Sequence, residues 1–488
     1  MDKEMTKNNY INGQWRESHG EGFTSTDPSS GAQIWQGNGS AETDVAAAFD
    51  AAHAAFDAWA ALTLEERLVP IQTFKAVATT RKDEMARLIA QETGKQLWDA
   101  SGEAGAVAGK VDISITAYDD RTGLNNRETA YGTAALQHRP HGVMAVLGPY
   151  NFPAHLPNGQ ILPSLIAGNT VVFKPSEQTP AVGQLLMEFY ADAGFPDGVI
   201  NLVQGARETG AAVLNDNKLD GLLFTGSAKT GAFIHKHFGG RPEIVLALEM
   251  GGNNPLIVWD VSSADAAASL VAQSAYITSG QRCTCARRLI VPEGPQGDAV
   301  IEATLNFIQR MTLGAWDKEP ATMGPLISAD IAGHVVKAAA GLAAAGATTL
   351  SASEITAHGG AFVSPGLYDV TGIDVADDEI FGPVLTVTRV KDWDAAIAEA
   401  NNTRFGLAAG LISDDAKLWD DFKNRIRAGV VNFNRPTTGA AGFLPFGGPG
   451  ASGNHNPGAY YAADFCAWPM ASQIANTVEA LPMQGLKP

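Results

Sequence analysis

Along residues 41–60 and again along 64–93, apolar side chains recur at three- and four-residue spacing with charged residues between them. That period predicts amphipathic helices, and Gly94 after the second run suits the left-handed turn that ends one. A third helical run covers about 103–118, and the Ala-rich stretch 331–347 reads as an ordinary helix. From His141 the rhythm changes. Short β-branched runs at 143–147, 170–173, 199–203, 221–224 and 244–248 alternate with helical segments, and several close in a Gly, Pro or Ser turn. Strands spaced in this way predict a parallel sheet of the nucleotide-binding kind. Runs at 255–258, 288–291 and 384–389 predict a second α/β series. With no internal repeat and no low-complexity linker, the economical reading is an α/β protein of two domains with peripheral extensions.

Composition narrows what such a protein binds. The 488 residues carry a net charge of −18, and 45% are hydrophobic. A chain this apolar can bury enough surface to offset its conformational entropy, so it is expected to fold throughout. Its acidity, without any Lys/Arg-rich run, argues against nucleic acid or an anionic membrane as partner. Three cysteines fit a reducing compartment better than a disulfide framework. The first ten residues contain no apolar stretch of signal type, and apolar runs such as 142–147 fall well short of the ~20 residues that span a bilayer. The expectation is a cytoplasmic protein whose anionic ligands, if any, are held by local positive charge against the overall field.

Four clusters could carry chemistry. Phe224-Thr225-Gly226-Ser227-Ala228-Lys229-Thr230-Gly231 follows a predicted strand and opens a predicted helix. Backbone N–H groups at such a turn can meet a pyrophosphate, although Gly-Ser turns are common and this is neither G-x-G-x-x-G nor a Walker loop. Phe173-Lys174-Pro175-Ser176-Glu177 also ends a strand. There a carboxylate could accept from a ribose diol and repel a 2′-phosphate, or the Lys-Glu pair could simply be solvated. Ser279-Gly280-Gln281-Arg282-Cys283-Thr284-Cys285 offers Cys283 either as a nucleophile at a cleft or as a small buried hydrophobe. C-x-C also suggests zinc, but no second Cys/His pair lies at suitable spacing, so no metal is expected. Leu248-Glu249-Met250-Gly251-Gly252-Asn253-Asn254-Pro255 places an acid before a double-Gly turn, as general base or as ordinary turn carboxylate.

Taken in order, these segments resemble the aldehyde dehydrogenase superfamily along essentially the whole chain. The resemblance begins at Tyr10-Ile11-Asn12-Gly13 and runs through Gly148-Pro149-Tyr150-Asn151-Phe152-Pro153 and the four clusters. It continues with Glu379-Ile380-Phe381-Gly382-Pro383, Asn401-Asn402-Thr403-Arg404-Phe405-Gly406-Leu407 and Pro445-Phe446-Gly447-Gly448. It implies the aldehyde dehydrogenase fold, with two Rossmann-like domains and a small oligomerisation extension. The implied bounds are 1–118 with 141–249 for NAD binding, 250–445 for catalysis, and 119–140 with 460–488 for homodimer or homotetramer contacts.

By the same resemblance Cys283 is the nucleophile, Glu249 the general base and Asn151 the oxyanion-hole donor. Gly226, Ser227 and Gly231 line the pyrophosphate, Lys174 and Glu177 the adenosine ribose, Glu379 and Phe381 the nicotinamide riboside. The cofactor implied is NAD and the partner a small-molecule aldehyde. Two segments depart from the usual pattern: Asn253 stands where the family reads Lys, and Asn454-His455-Asn456-Pro457 where it reads Arg-Glu after Ser-Gly. They narrow the branch, and the segments Glu249–Pro255, Gly280–Arg288, Leu156–Gly159 and Tyr461–Met470 resemble a branch that implies a substrate with two carboxylates. Arg282 is then the first candidate for a substrate cation, with Lys110 and His455 behind it and Phe446 as a lining residue.

Overall fold

The computed structural model describes residues 8–130, 132–480 and 483–485. Residues 1–7 of the expected NAD-binding domain, and 131, 481–482 and 486–488 of the expected extension, lie outside the described residues.

Two seven-stranded sheets organise the chain. In the first, the spatial order is Val245–Met250, Gly221–Gly226, Val143–Leu147, Thr170–Lys174, Ile200–Leu202, Asn9–Ile11 and Gln14–Arg16. The first five strands are parallel, and the last two add an antiparallel edge. Alternation along the strands feeds two cores. Met144, Val146, Val171, Phe173 and Leu223 pack against helices Leu64–Thr80, Leu97–Thr122 and Pro180–Asp192, whereas Val143, Ala145, Val172 and Leu222 pack against Glu42–Ala60. Both faces are covered by helices, which is the usual setting of a parallel sheet.

The second sheet runs Thr348–Ser351, Gly366–Asp369, Val384–Val390, Ala286–Pro292, Asn254–Val258, Ala408–Ile412 and Val430–Phe433. Only residues 251–253 separate its strand Asn254–Val258 from Val245–Met250 of the first sheet. The carboxyl end of one sheet is thereby tied to the amino end of the other.

Several expected bounds change. The run 64–93 is two helices, Leu64–Thr80 and Lys82–Thr93, because Arg81 leaves the helical region and its guanidinium ties Glu84 and Asp192. The third helix is longer than expected, Leu97–Thr122, since its added turns bury Asp99, Ala100 and Thr122. Asn125–Thr129 and Gly132–Pro140 form a hairpin, and Ala467–Ile474 joins it as a third antiparallel strand. The tail from 460 is not all peripheral, however. Ala462, Phe465 and Cys466 are buried in the first core, and the Asn169 amide donates to the Cys466 carbonyl at 2.7 Å. Among the described residues no helix is long and apolar enough to cross a membrane.

Candidate active site

Four adjacent parallel strands of the first sheet deliver their carboxyl ends to one edge, where ligands of open α/β sheets bind. Val143–Leu147 leads to Asn151, Thr170–Lys174 to Glu177, Gly221–Gly226 to Ser227, and Val245–Met250 carries Glu249. Ser227 caps helix Ala228–His237, its hydroxyl accepting from the Thr230 N–H at 3.2 Å, so the helix head and its positive dipole end face this edge. Gly231 packs against the Met250 side chain. Lys174 is buried; its ammonium donates to the Pro175 carbonyl at 2.8 Å and stands 3.8 Å from the half-exposed Glu177 carboxylate. Burial lowers the Lys174 pKa, and Glu177 opposes that shift.

The second sheet meets this edge with the amino ends of its strands. Cys283 precedes Ala286–Pro292, and Glu379 and Phe381 precede Val384–Val390. The turn into Cys283 is strained, because Thr278, Ser279 and Gly280 are all left-handed, with φ near +54, +54 and +72°. Side chains hold it. Thr278 donates to Asp99 at 2.5 Å, and Ser279 donates to the Gly324 carbonyl at 2.7 Å. At Gly280 any side chain would strike the Gly382 carbonyl, which brings the loop bearing Glu379 and Phe381 against the turn that leads to Cys283.

The three residues expected to perform the chemistry converge. Cys283 is half-buried. Its thiol pKa is raised, first by burial and then by the nearby Glu379 and Glu249, with Arg287 opposing. Asn151 is buried, and its amide donates to the Gln281 carbonyl at 2.9 Å, which leaves its second amide hydrogen for another acceptor. Glu249 is buried as well. Its Oε1 accepts from the Gly458 N–H at 2.6 Å, whereas its Oε2 has no partner among the described residues. Burial pushes this carboxyl up to about 8 against that one hydrogen bond.

The double glycine after Glu249 has a steric cause. A side chain at Gly251 would collide with the Glu379 carboxylate, which rests on this turn and bonds the Gly252 N–H. Asn253 donates to Asp377 at 2.8 Å, and Asp377 accepts from Thr403 and from the Arg404 N–H. Its neighbour Asn254 grips the Cys283 loop directly, donating to the carbonyls of Cys283 at 2.7 Å and Cys285 at 2.8 Å.

Spacing and composition did not single out Asn254, Gly458 or Arg287. Arg287 is buried at the head of a strand, donates to Gly382 and Arg282 carbonyls at 3.1 Å, and pairs with Glu379 at 3.3 Å. Two arginines opening an otherwise apolar strand were the available signal.

The expected substrate residues separate. Arg282 is not a free cation: it pairs with Asp99 at 2.7 Å and donates to Thr278 at 2.8 Å. His455 is exposed, and the work of its loop falls to Asn454 and Asn456. Asn454 accepts from the Leu248 N–H and donates to the Leu246 carbonyl, to which Asn456 also donates. Together they dock the loop on the Glu249 strand. Phe446 is half-buried and pairs with Gly458 in a short antiparallel bridge. Lys110 is buried within helix Leu97–Thr122.

Comparison with known proteins agrees with this layout. The model described as aldehyde dehydrogenase family matches residues 15–468. N-succinylglutamate 5-semialdehyde dehydrogenase 2 of Caulobacter vibrioides is 54% identical over 473 residues, covering 96% of each chain. An NADP-dependent enzyme of E. coli has a TM-score of 0.90 at 29% identity, over 96% of this chain and 98% of that one. A 1-pyrroline-5-carboxylate dehydrogenase from Thermus with bound NAD scores 0.90 at 28% identity, over 96% and 92%. A match this complete takes in both sheets, the turn that carries Cys283 and the strand that carries Glu249, and so the chain belongs to the aldehyde dehydrogenase family.

Proposed function

We propose that the protein oxidises N2-succinyl-L-glutamate 5-semialdehyde to N-succinyl-L-glutamate with NAD, a step of arginine catabolism by the succinylated route. The observation that carries the chemistry is the convergence of Cys283, Asn151 and an open, buried Glu249 where the two sheets meet. The 54% identity to the Caulobacter enzyme supports the choice of substrate.

Cys283, half-exposed, loses its proton to water and attacks the aldehyde carbon as a thiolate. The oxygen that becomes negative is met by the spare Asn151 amide hydrogen and the Cys283 backbone N–H; such donors contribute about 2.7–4 kcal/mol each. A nicotinamide dinucleotide, when bound, would supply the hydride acceptor that lets the thiohemiacetal on Cys283 become a thioester. Glu249 then takes a proton from water through its free Oε2, and the resulting hydroxide releases the acid.

The carboxyl edge fits the dinucleotide. Ser227 and the head of helix Ala228–His237 suit the pyrophosphate, Lys174 and Glu177 the adenosine ribose, and Glu379, seated on Gly251, the second ribose. Glu177 favours NAD over NADP, because a carboxylate accepts from the 2′-hydroxyl and repels a 2′-phosphate. Leu124, Leu136, Trp468 and Ile474 are exposed around the three-stranded sheet, which supports a homodimer or homotetramer built on it.

The test is NADH production with the succinylated semialdehyde beside glutamate and succinate semialdehydes, repeated with NADP. The succinylated compound and NAD should give the highest kcat/KM. A higher value for one of the shorter aldehydes would replace the substrate, and a ratio favouring NADP would replace the cofactor.

A further inference from the structure

Helix Leu97–Thr122 forms one wall beside the nucleophile. Asp99, Glu103, Val107 and Lys110 lie on one face of it, spaced by three or four residues, and all are buried. Each of the first three is already engaged. Asp99 pairs with Arg282; Glu103 pairs with Lys95 at 2.5 Å and accepts the N–H groups of Ala154 and His155; the Val107 carbonyl accepts from Asn158 at 3.0 Å. Lys95 and Arg282 both sit over the Phe152 ring, next to Asn151. Three cations and two carboxylates therefore occupy this wall, and the pairing leaves one cation over.

That cation is Lys110. It is 4% exposed, and its side chain has no hydrogen bond or ion pair with any described residue. Burial alone accounts for its lowered pKa, about 8, with no carboxylate acting against it. Its ammonium stands over Gly159 of helix His155–Ala167, where a side chain would come within 2.9 Å of the Lys110 Cε. It also faces His155, whose buried Nδ1 has no partner among the described residues and whose ring is held neutral by burial and by Lys110 and Lys95. One turn further along, Ile113 faces Gly442, beside the exposed Phe443 and Leu444. Lys110 thus lies along the wall between the nucleophile's end and the exposed loop.

An unpaired buried ammonium is costly unless a ligand completes it. We propose that Lys110, in the space left by Gly159 and beside the His155 ring, binds a carboxylate of the aldehyde substrate and so selects acidic aldehydes. This rests on the proposed dehydrogenase reaction but not on which acidic aldehyde is the natural one. A carboxylate there makes a charge-assisted bond with Lys110, and the His155 Nδ1 supplies a second polar contact. Arg282, spent on Asp99, orients the loop of Cys283.

The experiment compares Lys110→Met with the parent enzyme on N-succinylglutamate semialdehyde, succinate semialdehyde and neutral butanal. Loss of one charge-assisted bond should raise KM for the acidic aldehydes about 10- to 100-fold. For butanal, kcat/KM should hold or rise, and kcat on every substrate should change little. Gly159→Ala, which displaces the Lys110 tip, should cause the same selective loss. Equal losses on acidic and neutral aldehydes would mean a structural role, and unchanged KM for the acidic ones would mean that another group binds the carboxylate; either result overturns the proposal. If the parent enzyme preferred succinate semialdehyde, the proposed substrate would fail while this comparison stayed decisive.

Discussion

The two seven-stranded sheets are both mainly parallel and use opposite edges. The first offers the carboxyl ends of its strands, where Asn151, Glu177, Ser227 and Glu249 gather. The second offers amino ends, where Cys283, Glu379 and Phe381 sit just before their strands. The difference is one of tolerance. A carboxyl edge presents helix heads and turns ready for an anion, so a few small residues suffice. The amino edge has no such ready-made site and must be held by side chains. Thr278, Ser279, Asn254, Arg287 and Asp99 all serve to fix one strained turn.

The most severe way to separate the two edges is Cys283→Ala. Aldehyde turnover should vanish, while dinucleotide binding, measured by quenching of tryptophan fluorescence, should persist. Loss of both would mean that the edges are not independent. Asn151→Ala should come next. It removes a donor at the carboxyl edge that serves chemistry at the amino edge, so kcat should fall about 10²- to 10³-fold. Part of that loss reflects the Gln281 carbonyl, which loses its donor too. Pre-steady-state rates would check that the slowed step is formation of the thioester.

A smaller effect is expected from pH. Glu249 can take a proton only when ionised, and burial raises its pKa to about 8. Thioester hydrolysis should therefore quicken as pH rises toward 8 and level above it. For stability the sign is opposite. A carboxyl with a raised folded pKa binds more protons folded than unfolded, so its contribution is full at low pH and fades as pH rises above the unfolded value of about 4.5. A hydrolysis rate flat between pH 6 and 9 would contradict the assignment.

Legibility in the sequence followed the same division. Strands rich in β-branched residues, such as Val143–Leu147, were read with their bounds intact. Ala408–Ile412 was not, because its central Gly410 lies under Leu256 and Thr437 where a larger side chain would clash, and this removes the strand signal. The break at Arg81 depends on Asp192, a partner far along the chain. Cys283, Glu249 and Asn151 were recognisable from ordered motifs, and the structure brings them together. Arg282, the first candidate for a substrate cation, pairs with Asp99, a partner that no local spacing reveals. Lys110 showed the converse: its lack of a partner becomes visible only when its neighbours are in place.

Glu249→Gln tests the central claim most directly, because it removes the proposed base of the carboxyl edge and leaves the proposed nucleophile, Cys283, of the amino edge untouched. Mixing this variant with NAD and the succinylated semialdehyde should yield a burst of about one NADH per active site, then a stall. Intact-protein and peptide mass spectrometry should find the N-succinylglutamyl group on Cys283. Steady turnover at the parent rate, or an acyl group on any other residue, would contradict the account.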